Sequence, residues 1–181
     1  MFKHIPLMKK TFLFLLAASF ACLVSFSPAD NKAFPKLSGN TLNGKKINLP
    51  EHAAGKFCLV AMAYSLKAQN DLTGWIDPVY KSLVGNVMFQ TEMYFIPMTG
   101  DIKGFSQAQI ESKMKQSVDS SLYKYVLVYS GPTSDLIKTL DMSKKDEPYF
   151  FVIDPRGNIT YTTSGKYSDK KLEEITDKLS E

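Results

Sequence analysis

Two uninterrupted apolar runs of strand length, Phe57 to Tyr64 and Tyr149 to Ile153, constrain the fold of this chain more than any other feature. A strand with one face in water alternates apolar and polar side chains, so a run without alternation belongs in a sheet covered on both faces. Between the two runs the period of the apolar residues keeps changing. From Asn70 or Asp71 to about Val84, the positions Leu72, Trp75, Ile76, Val79, Tyr80 and Leu83 recur at helical spacing, and Pro78 inside that pattern predicts a kink or a split. Asn86 to Met98 reads as a strand with an irregularity at Gln90-Thr91-Glu92. Ser106-Gln107-Ala108-Gln109 has the form of a capping box and opens a helix with Ile110, Met114 and Val118 on one face. Tyr123 to Tyr129 reads as a further strand, broken by Gly131-Pro132, and Thr133 or Ser134 caps a short helix through Leu140.

The two ends complete the pattern. Thr41 to Leu49 reads as a hairpin, because Asn43-Gly44 supplies the positive φ angles of a tight turn, and Pro50 ends it. After Pro148 come the apolar strand, the turn Asp154-Pro155-Arg156-Gly157-Asn158, the strand Ile159 to Thr163, Gly165, and a helix capped by Ser168 with Leu172, Ile175 and Leu179 on one side. Alternating strands and helices predict the α/β class: a three-layer α/β/α sandwich with a mixed central sheet and an N-terminal β-hairpin. The length of 181 residues suits a single such domain, expected over residues 30–181.

Met1 to Ala29 has the order of a secretory signal peptide: Lys3, Lys9 and Lys10, then the apolar stretch Thr11 to Phe26, then the small residues of Ser27-Pro28-Ala29. Cleavage after Ala29 would start the mature chain at Asp30. Two other fates share the segment. Thr11 to Phe26 comes close to the length of about 17–25 residues that spans a bilayer and could remain as an anchor, and Cys22 after Ala21 could be processed as a lipoprotein cysteine. The expected location is therefore exported, periplasmic or associated with a bacterial envelope. None of the 18 Asp and Glu lies in this segment, whereas three of the 22 Lys and Arg do, so the remainder is nearly neutral. Nucleic-acid binding has no basic face on which to rest.

Few residues are available for chemistry. His4 and His52 are the only histidines, so neither a zinc cluster nor a triad with a choice of base can be assembled, and no Gly-rich phosphate loop occurs. No metal and no cofactor is expected. If Cys22 leaves with the signal, Cys58 is the remaining thiol; it sits inside the first apolar run, reads as a buried core residue and excludes an internal disulfide. Trp75, the one tryptophan, reads as core.

The order apolar strand, Ser65-Leu66-Lys67-Ala68-Gln69-Asn70 turn, helix, and much later Glu147-Pro148, apolar strand, Asp-x-x-Gly turn, strand and helix resembles a thioredoxin-like domain of the redoxin type across about residues 34–180. The resemblance places the two thiol positions of a reductase near Lys67 and Asn70, where this chain has no cysteine. Dithiol exchange needs an attacking and a resolving thiol, and a peroxidase needs a thiolate. Pro148 resembles the proline that precedes a core strand in this superfamily, which implies a cis Glu147–Pro148 bond facing the turn. Lys67, Gln69 and Asn70 form a polar turn at a helix start, where backbone amides could receive an anion. The binding candidates are Ser65, Lys67, Gln69, Asn70, Glu147 and Pro148; none is a catalytic candidate. A narrower likeness, carried by Ala68-Gln69, Trp75, Pro78 and the Asp154 turn, is to the thioredoxin-fold assembly factors of mitochondrial ATP synthase, which also lack a dithiol. The expected function is non-covalent binding or assembly in the cell envelope, with a protein partner. The alternatives are a redoxin-class thiol oxidoreductase or peroxidase working through Cys58 or a partner thiol, and a small-ligand carrier with a pocket near Pro148.

Overall fold

The computed structural model describes residues 32–84, 90–100 and 104–180, so the expected export segment lies outside the described residues. The N-terminal hairpin consists of β1 (Leu37–Thr41) and β2 (Lys46–Leu49), with Leu37 opposite Leu49 and Gly44 at a φ of 88° in the turn. Then follow β3 (Cys58–Ala63), α1 (Leu66–Leu83), β4 (Glu92–Pro97), α2 (Gln107–Ser117), β5 (Leu127–Val128), α3 (Ser134–Thr139), β6 (Tyr149–Ile153), β7 (Ile159–Ser164) and α4 (Asp169–Leu179). The two apolar runs become neighbours: the main sheet has the order β4-β3-β6-β7, with β3 parallel to β4 and antiparallel to β6. A second sheet, β2-β1-β5, is joined to β4 by parallel bridges between Phe95 and Val126 and between Met98 and Tyr129.

Alternation along β3 divides the core. Leu59, Ala61 and Ala63 face a layer made by α1 and α4, where they meet Trp75, Phe150, Ile175 and Leu179. Cys58, Val60 and Met62 face the opposite layer, with Ile47 and Leu49 of the hairpin and Leu136 and Leu140 around α3. The result is the expected thioredoxin-like three-layer sandwich with a mixed sheet. Trp75 fixes the first layer: it is fully buried, its ring lies 4.0 Å from that of Phe150, and its Nε1–H donates to the Gly165 carbonyl at 3.1 Å.

Local departures from expectation have identifiable causes. The first helix starts at Leu66, not at Asn70, because the Ser65 hydroxyl accepts from Ala68 N at 3.0 Å and caps a turn whose first residue, Leu66, is exposed and breaks the apolar stripe. The helix also runs through Pro78 unsplit. The residue four positions earlier, Gly74, lacks a Cβ and is exposed, so solvent can serve the carbonyl that the proline leaves without a donor. Of the strand expected over Asn86 to Met98, Glu92–Pro97 is observed, and residues 86–89 lie outside the described ones. The expected strand from Tyr123 begins instead as a 3-10 helix over Ser120–Tyr125, started by an Asp119 carboxylate that accepts from Ser121 N at 2.8 Å. The Glu147–Pro148 bond is trans; among the described residues the cis bond is Leu49–Pro50. Trans is the lower-energy isomer for any X–Pro bond, and in it Glu147 N donates to Lys144 O at 3.2 Å while Pro148 O accepts from Gly165 N at 2.9 Å.

Candidate functional site

Where β3 leaves the sheet, Tyr64 turns the chain and its hydroxyl donates to Met142 O at 2.6 Å, tying the turn to the segment that follows α3. One residue later, the Ser65 hydroxyl that caps α1 also donates to Asp146 Oδ1 at 3.0 Å, and Lys67 Nζ stands 3.8 Å from Asp146 Oδ2. A helix N-terminus carries partial positive charge and favours an anion. In thiol enzymes that field lowers the pKa of a cysteine; here it meets a carboxylate of the chain itself. Lys67 and Asp146 are both more than half exposed, so the ion pair contributes less than about 1 kcal/mol. Its importance is positional, because with the Ser65 bond it places a carboxylate beside the first turn of α1.

The candidates from sequence divide between two places. Ser65 and Lys67 converge on Asp146. Glu147 and Pro148 lie beside them but turn inward: Glu147 Oε2 accepts from Ser164 Oγ at 2.8 Å and from Lys144 Nζ at 3.3 Å. The Ser164 hydroxyl, working against the cost of burial, holds the Glu147 carboxyl below the usual carboxylate range, and the Lys144 and Lys171 ammonium groups act in the same direction. Gln69 and Asn70 belong to α1 itself and face elsewhere, lining a groove of about 520 Å³ between α1 and α2. The polar turn expected from sequence is therefore the first turns of a helix. Asp146 was missed because nothing local marks it: it lies in the polar stretch Ser143 to Glu147, and its partner Ser65 is 81 residues away. Leu66, exposed to 73%, puts an apolar side chain between Ser65 and Lys67.

Cys58 is fully buried within β3, opposite Glu92 on one side and Ile153 on the other. Burial pushes its thiol far above the usual range, and the nearby Glu92 charge pushes the same way. The Asp154 turn is structural. Burial opposes the charge on Asp154, yet its carboxyl is held below the usual range by the N–H groups of Asn158 and Arg156, at 2.8 and 2.9 Å, and by the Asn158 side chain. Among the described residues no three His, Cys, Asp or Glu side chains are placed to hold a metal ion, and no helix is long and apolar enough to cross a membrane.

A mixed α/β/α sandwich whose strand-to-helix turn presents Ser65, Leu66 and Lys67 defines a thioredoxin-fold protein lacking the thiol pair of the redox enzymes. The family model described as ATP10 protein matches residues 20–181, and the chain belongs to that family. A search of curated proteins finds none that matches. Solved structures share the fold at low identity. The exposed lipoprotein thioredoxin Etrx1 of Streptococcus pneumoniae is 18% identical with a TM-score of 0.56, over 79% of this chain and 99% of that one. The thioredoxin domain of a thiol-disulfide oxidoreductase of Bacteroides vulgatus is 16% identical with a TM-score of 0.60, over 86% and 100%. BsSco, a member of the Sco family of cytochrome c oxidase assembly proteins, is 15% identical with a TM-score of 0.59, over 84% and 95%.

Proposed function

We propose that this protein is an exported assembly factor that holds a client protein of the cell envelope non-covalently and transfers no electrons. The observation that carries this reading is the Asp146 carboxylate on the cap of α1, bonded to Ser65 at 3.0 Å. An anion already stands beside the helix end whose field a redox thiolate would need, and Cys58 is sealed in the sheet. Membership of the ATP10 protein family and the fold shared with a Sco-type assembly protein favour assembly over turnover. The surface offered to a client is the turn itself: the exposed Leu66 as apolar anchor, flanked by the half-buried Ser65 and the exposed Lys67, while Glu147 and the buried Pro148 back the turn from inside. The basic and apolar segment Met1 to Ala29 supplies export, and Cys22 or the uncleaved segment offers a tether.

Two measurements together test the reading. A photo-crosslinking residue at position 66, expressed in the native envelope, is expected to give one discrete protein adduct, and the purified protein is expected neither to accelerate insulin reduction by dithiothreitol nor to consume peroxide. Turnover in either assay, or the absence of any adduct from position 66, overturns it.

A further inference from the structure

The groove between α1 and α2 has a feature that the sandwich does not need for its own core. α2 is an 11-residue helix with a full capping box, yet none of its residues is fully buried. Its apolar face, Ile110 and Met114 continued by Val118, is only half covered. Isolated helices of this length are marginal in water and take most of their stability from a packed apolar face, so a face left half open is a face with room for another. Across the groove α1 presents Ile76, also half covered, and the sheet supplies Phe95 and Val126 as the floor. The charges at the rim have one sign. Among the described residues that line the groove, Asp77 on α1 and Asp119 at the end of α2 are the charged ones, and neither forms an ion pair with a described residue.

We infer that this groove is the docking surface for a cationic amphipathic helix of the client protein. Its apolar side chains would lie on Ile76, Met114 and Val118, and its Lys or Arg side chains would meet Asp77 and Asp119. Helix-in-groove recognition of this type uses apolar anchors one turn apart and lets rim charges set orientation. The inference rests on the binding reading above and gives it a partner chemistry: the groove starts at Gln69 and Asn70, one turn beyond the exposed Leu66.

The test uses the full chain and a fluorescein-labelled helical peptide of leucine and lysine, with a leucine–glutamate peptide of the same pattern as control, both followed by anisotropy. The basic peptide is expected to bind at least about tenfold more tightly than the acidic one and to weaken as salt rises. The double substitution D77N/D119N keeps the Asx cap at position 119 and is expected to weaken binding about three- to tenfold, the worth of two exposed ion pairs. M114K is expected to weaken it at least about tenfold by placing a cation on the apolar face, with an unchanged circular dichroism spectrum. Equal binding of the two peptides, or equal binding by both variants and the native chain, overturns the inference. If the adduct at position 66 forms undiminished in D77N/D119N and M114K, the groove fails while the assembly reading stands. If the peptide responds as expected but the native chain gives no adduct, the assembly reading fails and the groove stands.

Discussion

Labelling of the Cys58 thiol is the sharpest test of the absence of redox chemistry. The residue is fully buried, lies in the strand at the centre of the main sheet, and is paired on both sides, to Glu92 and Ile153. A reagent reaches it only if β3 separates from β4 and β6, which dismantles both layers of the core. That opening costs close to the global stability, about 5–15 kcal/mol for a domain of ordinary stability. At about 1.4 kcal/mol per factor of ten, the lower end already slows labelling roughly a thousandfold or more relative to an exposed thiol. The assay is reaction of C22S protein with an aromatic disulfide reagent at neutral pH, followed in absorbance with increasing urea below the unfolding midpoint. Labelling is expected to be slow without denaturant and to accelerate with urea on the slope of global unfolding, because the open state is the reactive one. One equivalent of thiol reacting within tenfold of the rate of free cysteine, independent of urea, would refute the burial argument and with it the non-redox reading.

Trp75→Phe removes the donor to the Gly165 carbonyl and part of the ring packed against Phe150, and is expected to cost about 2–4 kcal/mol in urea unfolding followed by circular dichroism; a loss below about 1 kcal/mol would show that neighbouring side chains replace the contact. Asp154 has a carboxyl pKa below its unfolded value near 3.9, so its favourable contribution is complete above that pH and is lost as the pH falls through the lower folded value. Asp154→Asn should therefore be less stable than the native chain at pH 7, by about 1–3 kcal/mol, with the gap closing below pH about 4. Parallel stability curves for the two proteins across that range would contradict it.

Local chemistry made much of this architecture readable in advance. Asn43-Gly44, the Ser106–Gln109 box and the Ser168 cap each act within a few residues, and each appears where it was expected. The two apolar runs announced a covered sheet because lack of alternation has one simple physical cause. Boundaries failed where a capping side chain overrode the apolar pattern. Ser65 starts its helix four residues early around an exposed Leu66, and Asp119 turns the chain where Tyr123 and Tyr125 suggested extension. The site was legible only in part. Ser65 and Lys67 follow from their place after β3, but Asp146 is brought to them across 81 residues by the fold. The groove stayed hidden for a related reason: Met114 and Val118 at helical spacing look alike in sequence whether their face is sealed or half open.

The Ser65–Asp146 contact also bears on how this lineage could change. Ser65→Cys would put sulfur where the hydroxyl now donates to the acid at 3.0 Å, and the neighbouring negative charge would keep that sulfur protonated. A thiol placed here would ionise more readily with Asp146→Asn beside it than with the acid intact. The carboxylate thus couples two positions 81 residues apart, so that the chemistry open to residue 65 depends on the residue at position 146.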